Sequence, residues 1–199
     1  RLGAGKGSKN MIFLTFGTGM GAGLILDGNL YSGTNGNAGE IGHVRMRNTG
    51  PIGYGKEGSF EGFASGGGIA QMAKSAAKEQ LEKGITPLYC KTLDDLDNIT
   101  AQNVAQAAYN GDKTAIDVYQ KCGKMLGYGL SILIDILNPE KIVIGSIYTR
   151  SQDLLQETMM EALKQEALTP SLSVVEILPA ALGENLGDYA ALSLATENR

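Results

Sequence analysis

The stretch MIFLTFGTGMGAGLILDG, Met11 to Gly28, constrains this chain more than any other, because glycine stands at 17, 19, 21, 23 and 28. The bulky apolar run Met11–Phe16 predicts a buried strand. The glycines that follow allow positive φ and leave no Cβ between main-chain N–H groups and a ligand. Leu24-Ile25-Leu26, Asp27-Gly28 and Asn29-Leu30-Tyr31 predict a hairpin closed by a two-residue turn. The order expected is therefore strand, glycine loop over 17–23, strand, turn, strand. Such a loop can aim its amides and the Thr15 and Thr18 hydroxyls at an anion, phosphate above all.

Other phosphate-loop patterns fit less well. Gly17-Thr18-Gly19-Met20-Gly21-Ala22 matches GxGxx[G/A], but that dinucleotide pattern needs a helix straight afterwards, and LILDG is too short and turn-bounded to be one. Gly3-Ala4-Gly5-Lys6-Gly7-Ser8 resembles a P-loop faintly, yet Gly7 separates Lys6 from Ser8 and no strand precedes it. That segment is read as a flexible lead-in. A ligand-free glycine hairpin is the bland alternative for the main loop.

With 199 residues the chain is long enough for a substantial core. Lys and Arg number 17 against 21 Asp and Glu, net −4, which argues against nucleic-acid binding through this segment. Cys90 and Cys122 form no framework, and two reduced thiols in a cytoplasmic protein are expected. No secretory signal is visible. The uncharged helical run Met125–Ile134 is too short to span a bilayer.

Downstream, the glycine-dense stretch 33–43 carries Glu40 and His43, spaced like a helical metal pair. Glycines at 36, 39 and 42 predict a shaped loop instead. Val44–Met46 reads as a short strand and 50–61 as another loop. Ser65-Gly66-Gly67-Gly68 leads into a helix over 69–81, and 84–98 reads as a solvated connection. Thr100 is an N-cap candidate, with Asn103 where a full capping box has Glu or Gln. A helix to Tyr109 stops at Asn110-Gly111. A long helix over 114–137 puts Leu126, Leu130, Leu133 and Leu137 on one face. Gly123, Gly127 and Gly129 on it imply close approach of another backbone. A strand over 141–146, a helix over 151–167, a strand over 173–178 and a helix over 186–196 complete an α/β layer architecture with a mixed sheet.

Taken together, LTFGTGMGAGLILDGNLYSG, NAGEIGH, GYGKEGSFEGFASGGG, LNPEKIVIGS and LGENLGDYAALSLA resemble the ROK family of bacterial sugar kinases and sugar-responsive repressors, over nearly the whole chain. The resemblance implies an actin-like, ribonuclease H-like ATPase fold. It further implies that 1–199 is one domain, the larger C-terminal lobe of a two-lobe sugar kinase, with 1–10 as linker. It places Thr15, Gly17, Thr18 and Gly19 in the second phosphate loop facing ATP, and Gly145 and Ser146 beside the adenosine, with Gly66–Gly68 near the same cleft. Glu40, His43 and Glu61 become hexose contacts. Mg²⁺ is expected to arrive with ATP.

Two departures qualify that picture. The family's histidine usually shares a structural zinc with three cysteines, but Ile52, Tyr54 and Ser59 stand in their places. No structural zinc is expected, since one histidine cannot close a tetrahedral site. The first phosphate loop and the catalytic aspartate are expected upstream, so no residue here is assigned as catalytic base and the chain alone is expected to be inert. The expected activity of the parent is ATP-dependent phosphorylation of a hexose. The alternative is the sugar-sensing lobe of a repressor with a separate DNA-binding module. Leu186, Ala190 and Leu194 are expected to pack on the missing lobe, to fray, or to form a homo-oligomer contact.

Overall fold

The computed structural model describes residues 3–181. The strands are β1 (Met11–Phe16), β2 (Met20–Leu26), β3 (Asn29–Tyr31), β4 (Ile52–Gly53), β5 (Lys56–Glu57), β6 (Lys141–Ile144) and β7 (Glu176–Pro179). The helices are α1 (Phe60–Phe63), α2 (Gly66–Glu82), α3 (Ala101–Tyr109), α4 (Lys113–Leu137), α5 (Ile147–Glu166) and α6 (Thr169–Leu172). Short 3₁₀ turns cover Ile41–His43 and Leu93–Asn98.

Five strands form one mixed sheet in the order β3-β2-β1-β6-β7. β1 runs antiparallel to β2 and parallel to β6. Alternation along β1 buries Ile12, Leu14 and Phe16. They join Ile142 and Ile144 of β6 and Leu126, Leu130 and Ile134 of α4 in a continuous core. The glycine stretch is shorter as a loop than its composition suggests. Gly21 pairs with Thr15 and Gly23 with Phe13, so only Gly17-Thr18-Gly19 turns the chain. Ladder pairing along all of β1 overrides the poor strand preference of glycine.

The long helix is capped by Asp112, whose carboxylate accepts the Ala115 amide at 3.0 Å, and it stops at Asn138 in the left-handed region, φ 42°. A Cβ on Gly123 would strike the Leu155 carbonyl and the Thr158 hydroxyl, and one on Gly127 the Met159 carbonyl. These two glycines therefore let α4 and α5 meet backbone to backbone. Gly129 instead receives the ring of Phe60.

Several boundaries move. α2 begins at Gly66 rather than 69, because the Ser65 hydroxyl accepts the Gly68 amide at 2.9 Å and caps the helix over the glycines. α5 begins at Ile147 and is kinked at Ser151, φ −137°, ψ 33°. The strand expected over 173–178 is β7, displaced because Thr169–Leu172 forms α6 with Pro170 in its first turn. Val44–Met46 contributes only an isolated bridge, Arg45 to Ser59. Within 84–98, Thr92 and Asp95 form a capping box on the 3₁₀ turn. Asn103 completes the box at Thr100 after all: its side-chain oxygen accepts the Thr100 amide at 2.9 Å.

Cys90 and Cys122 are both buried and free. No helix among the described residues is long and apolar enough to cross a membrane. The helix expected over 186–196, with Leu186, Ala190 and Leu194, lies outside the described residues.

Candidate functional site

The tight turn at Gly17–Gly19 is fixed from behind. The first two amides of α2 donate to it, Gly66 N to Gly17 O at 2.8 Å and Gly67 N to Thr18 O at 3.2 Å. The positive end of α2 thus binds the carbonyls of the turn rather than a solute. Gly17 N donates to Gly19 O at 3.1 Å, whereas the Thr18 and Gly19 amides meet no protein acceptor among the described residues. They are the donors left for an anion. The Thr15 hydroxyl is committed elsewhere: it accepts the Gly21 amide at 3.2 Å and donates to the Gly21 carbonyl at 3.3 Å. It stitches the hairpin.

Gly17 and Thr18 line a cleft of about 900 Å³, within the size range of small-molecule sites. Gly66, Gly67 and Ser146 line it as well. Gly145 does not line it; that residue is buried and donates its amide to Leu14 O at 2.9 Å. Ser146 precedes α5 with φ 56° and ψ −111°, a conformation that costs a residue with a Cβ of order 1–3 kcal/mol.

The far wall of the cleft comes from residues the sequence reading did not select. Thr100, Gln102, Gln106 and Tyr109 of the α3 segment face Arg150 of α5 across it. The signal was present: Gln102, Gln106 and Tyr109 are large polar residues on one face of a helix whose other face is Val104, Ala107 and Ala108. The N-termini of α3 and α5 both open onto the cleft, adding positive partial charge to Arg150. Burial raises the Tyr109 phenol, helped by the Asp153 carboxylate, to which it donates at 2.7 Å. Burial raises the Tyr119 phenol further.

The other end of the turn meets the acidic group. The Met20 amide donates to Glu61 Oε2 at 3.0 Å, and a Cβ on Gly19 would stand 2.7 Å from the same oxygen. Glu61 follows Ser59, whose hydroxyl accepts the Gly62 amide at 3.1 Å as the cap of α1. The 33–43 loop leans on β2: Ala22 N donates to Gly39 O at 2.9 Å. Gly42 abuts the Met20 carbonyl and lies against Glu61, a Cβ there reaching Glu61 Cβ at 3.2 Å. Glu40 and His43 flank this contact, both exposed. Ile41–His43 is a single 3₁₀ turn, so the two are not on a regular helix. Glu61 is thus brought to the mouth of the turn, with Glu40 and His43 at its border.

Among the described residues no group of three or more His, Cys, Asp or Glu could hold a metal ion. The donor set beside His43 does not fit zinc. The His43 ring lies edge-on to Tyr54 at 6.5 Å, Ile52 offers no ligand atom, and the Ser59 hydroxyl is spent on the α1 cap.

The sequence matches the ROK family over residues 1–198. The chain belongs to that family. It is 37% identical to a glucokinase of Halalkalibacterium halodurans over 93% of its length and 56% of the relative. It is 28% identical to the DNA-binding transcriptional dual regulator NagC of Escherichia coli, over 98% of this chain and 47% of the regulator. A ROK glucokinase from Streptomyces griseus, solved in complex with glucose and AMPPNP, superposes with a TM-score of 0.74 at 27% identity, covering 92% of this chain and 59% of that one. The actin-like ATPase fold expected from the sequence is therefore the fold of this ROK chain. The chain spans less than two thirds of the length of these curated glucokinase relatives.

Proposed function

We propose that the full-length protein carrying this chain transfers the γ-phosphoryl group of ATP to a hydroxyl of a hexose-type sugar. The observation that carries the reading is the position of one turn between two half-sites. Gly17 and Thr18 open onto the large cleft, while the amide of Met20, just past Gly19, is held by Glu61. The Thr18 and Gly19 amides and the Thr18 hydroxyl receive the terminal phosphates. Ser146, with Gly145 behind it, borders the adenosine, and Gln102, Gln106 and Arg150 complete that end. Glu61, Glu40 and His43 accept hydrogen bonds from sugar hydroxyls, which carboxylates do strongly in a semi-enclosed site.

Phosphoryl transfer depends chiefly on positioning and charge stabilisation, and this lobe supplies one wall of both. Mg²⁺ accompanies ATP and spreads the charge on its phosphates. The general base and the first phosphate loop belong to the part of the parent outside this chain, a location in the cytoplasm supplies the ATP, and no nucleic acid or membrane is bound through this segment. The glucokinase relatives and the glucose–AMPPNP complex of the Streptomyces griseus enzyme support this reading. The test is ATP-dependent phosphorylation of a panel of hexoses by the full-length protein. Absence of sugar-dependent ADP release across the panel overturns it, and phosphorylation by the isolated 199-residue chain overturns the assignment of the base elsewhere.

The relation to NagC favours a second reading, the sugar-sensing lobe of a repressor. Sugar-modulated DNA binding by the full-length protein, without turnover of ATP, would establish it.

A further inference from the structure

Helix α2 touches both half-sites, and one side chain on it joins them. The Gln71 amide makes three hydrogen bonds. Its nitrogen donates to the Ile52 carbonyl at 2.8 Å and to the Gly67 carbonyl at 3.3 Å, and its oxygen accepts the Ile52 amide at 2.9 Å. Two of these bonds give the main chain of Ile52 the paired donor and acceptor that a neighbouring strand would give it. The third ends on Gly67, the residue whose own amide holds the Thr18 carbonyl. Hydrogen bonds therefore link Thr18 to Gly67, and Gly67 through Gln71 to Ile52.

From Ile52 the path returns to its start. Gly53 is packed so tightly on Glu61 that a Cβ there would fall 2.7 Å from Glu61 Cβ. Glu61 in turn accepts the Met20 amide, closing the circuit at the far side of the glycine turn. A short cut braces it: a Cβ on Gly68 would collide with the Gly62 carbonyl. On the α2 side Gln71 supplies the hairpin's side-chain tie, Ile52 being 55% exposed and Tyr54 90%, and elsewhere Arg45 donates to the Glu57 carbonyl and Lys56 to the His43 carbonyl.

We propose that Gln71 is a positioning residue that sets the distance between the phosphate-binding turn and the sugar-side carboxylate Glu61. The inference rests on the kinase reading. Without the three bonds the β4–β5 hairpin loses its tie to α2, and Glu61 is held to the turn only by the Met20 bond and the Gly62–Gly68 contact, so the separation of the phosphoryl group and its acceptor hydroxyl loosens. Misplacement by even an ångström is costly to such transfers.

The test uses Gln71→Met in the full-length protein, an isosteric change that removes all three bonds, with the exposed Lys78→Ala on the same helix as control. The expected result is a sugar KM raised about fivefold, a nearly unchanged ATP KM, and a higher ratio of ATP hydrolysed to sugar phosphorylated. Gln71→Glu, which keeps the acceptor for the Ile52 amide, should fall between. A merely structural role lowers the active fraction and leaves the sugar KM and the hydrolysis ratio as in the wild type; that result overturns the proposal. Amide hydrogen exchange decides independently of turnover. Faster exchange in Gln71→Met at both 17–20 and 52–57 supports the coupling, and faster exchange at 52–57 alone overturns it. Should the wild-type protein phosphorylate no sugar, the kinase reading fails on that measurement and the exchange result still rules on Gln71.

Discussion

The α4–α5 pair and the loops over 33–59 are both rich in glycine, for opposite reasons. On α4, Gly123 and Gly127 are helical and lie where α5 presses its backbone, so the missing Cβ is a matter of space. In the loops, Gly33, Gly36, Gly39, Gly55 and Gly58 all have positive φ, so the missing Cβ is first a matter of conformation. The helical pair is held by apolar burial: Leu126, Leu130, Leu155, Met159 and Leu163 are fully covered. The loops are held by hydrogen bonds between main chain and single side chains, such as Glu57 to the Gly50 amide and Arg45 to the Glu57 carbonyl. One region stores stability; the other stores shape.

Substitutions that swap these roles should separate the two most clearly. Gly127→Val forces α4 from α5 and should cost about 3 kcal/mol or more, seen as a fall in melting temperature of about 10 °C for a chain this long. A variant that melts like the wild type would mean that the helices part easily. Gly39→Ala meets both barriers at once, φ 91° and the Ala22 carbonyl. Its stability cost should be smaller, about 2 kcal/mol, but on the kinase reading the sugar half-site rests on that loop, and titration of the full-length protein should show sugar affinity lowered more than tenfold. Ser146→Gly should go the other way and raise stability by about 1 kcal/mol, the relief of strain exceeding the added chain entropy. Its ATP KM then reports whether the hydroxyl touches the nucleotide.

The smallest effect at neutral pH concerns the tyrosines of the helical layer. Burial raises Tyr89, Tyr119 and Tyr148, and burial with Asp153 raises Tyr109. Each keeps its proton longer when folded, so the stability it contributes is complete below about pH 10 and is lost as pH climbs through the raised folded values. Burial also raises the Cys90 and Cys122 thiols, so denaturant midpoints should be flat from about pH 7 to 8, begin to fall near the ordinary thiol range and fall steeply above about 10. Tyr119→Phe should flatten that fall in part.

This contrast also marks what the residues alone disclose. The β1–β3 hairpin and the long α4 helix were legible because bulk, period and turn residues agree within a few neighbours. The role of glycine on α4 was legible in kind, although Gly129 meets a ring rather than a backbone. The extent of β2 was not, since the pairing that straightens Gly21 and Gly23 belongs to β1 and not to the glycines. The glycine turn and Glu61 stood out by resemblance as candidates, but the residues that meet them across the fold did not. Gln102, Gln106 and Arg150 converge only because α3 and α5 cross, and the bond from Gln71 to Ile52 spans nineteen residues. Thr15 shows the reverse error: its residue type suits phosphate, yet a cross-strand neighbour claims its hydroxyl first.

The break in α5 at Ser151 divides that helix into two parts with separate duties. Leu155, Met159 and Leu163 follow the break and anchor the helix in the interior, whereas Ile147 and Arg150 precede it and border the large cleft. Within that first turn Ile147 and Tyr148 are themselves buried while Thr149 and Arg150 are exposed, so Arg150 is the position where selection can reshape the cleft wall at little risk to folding.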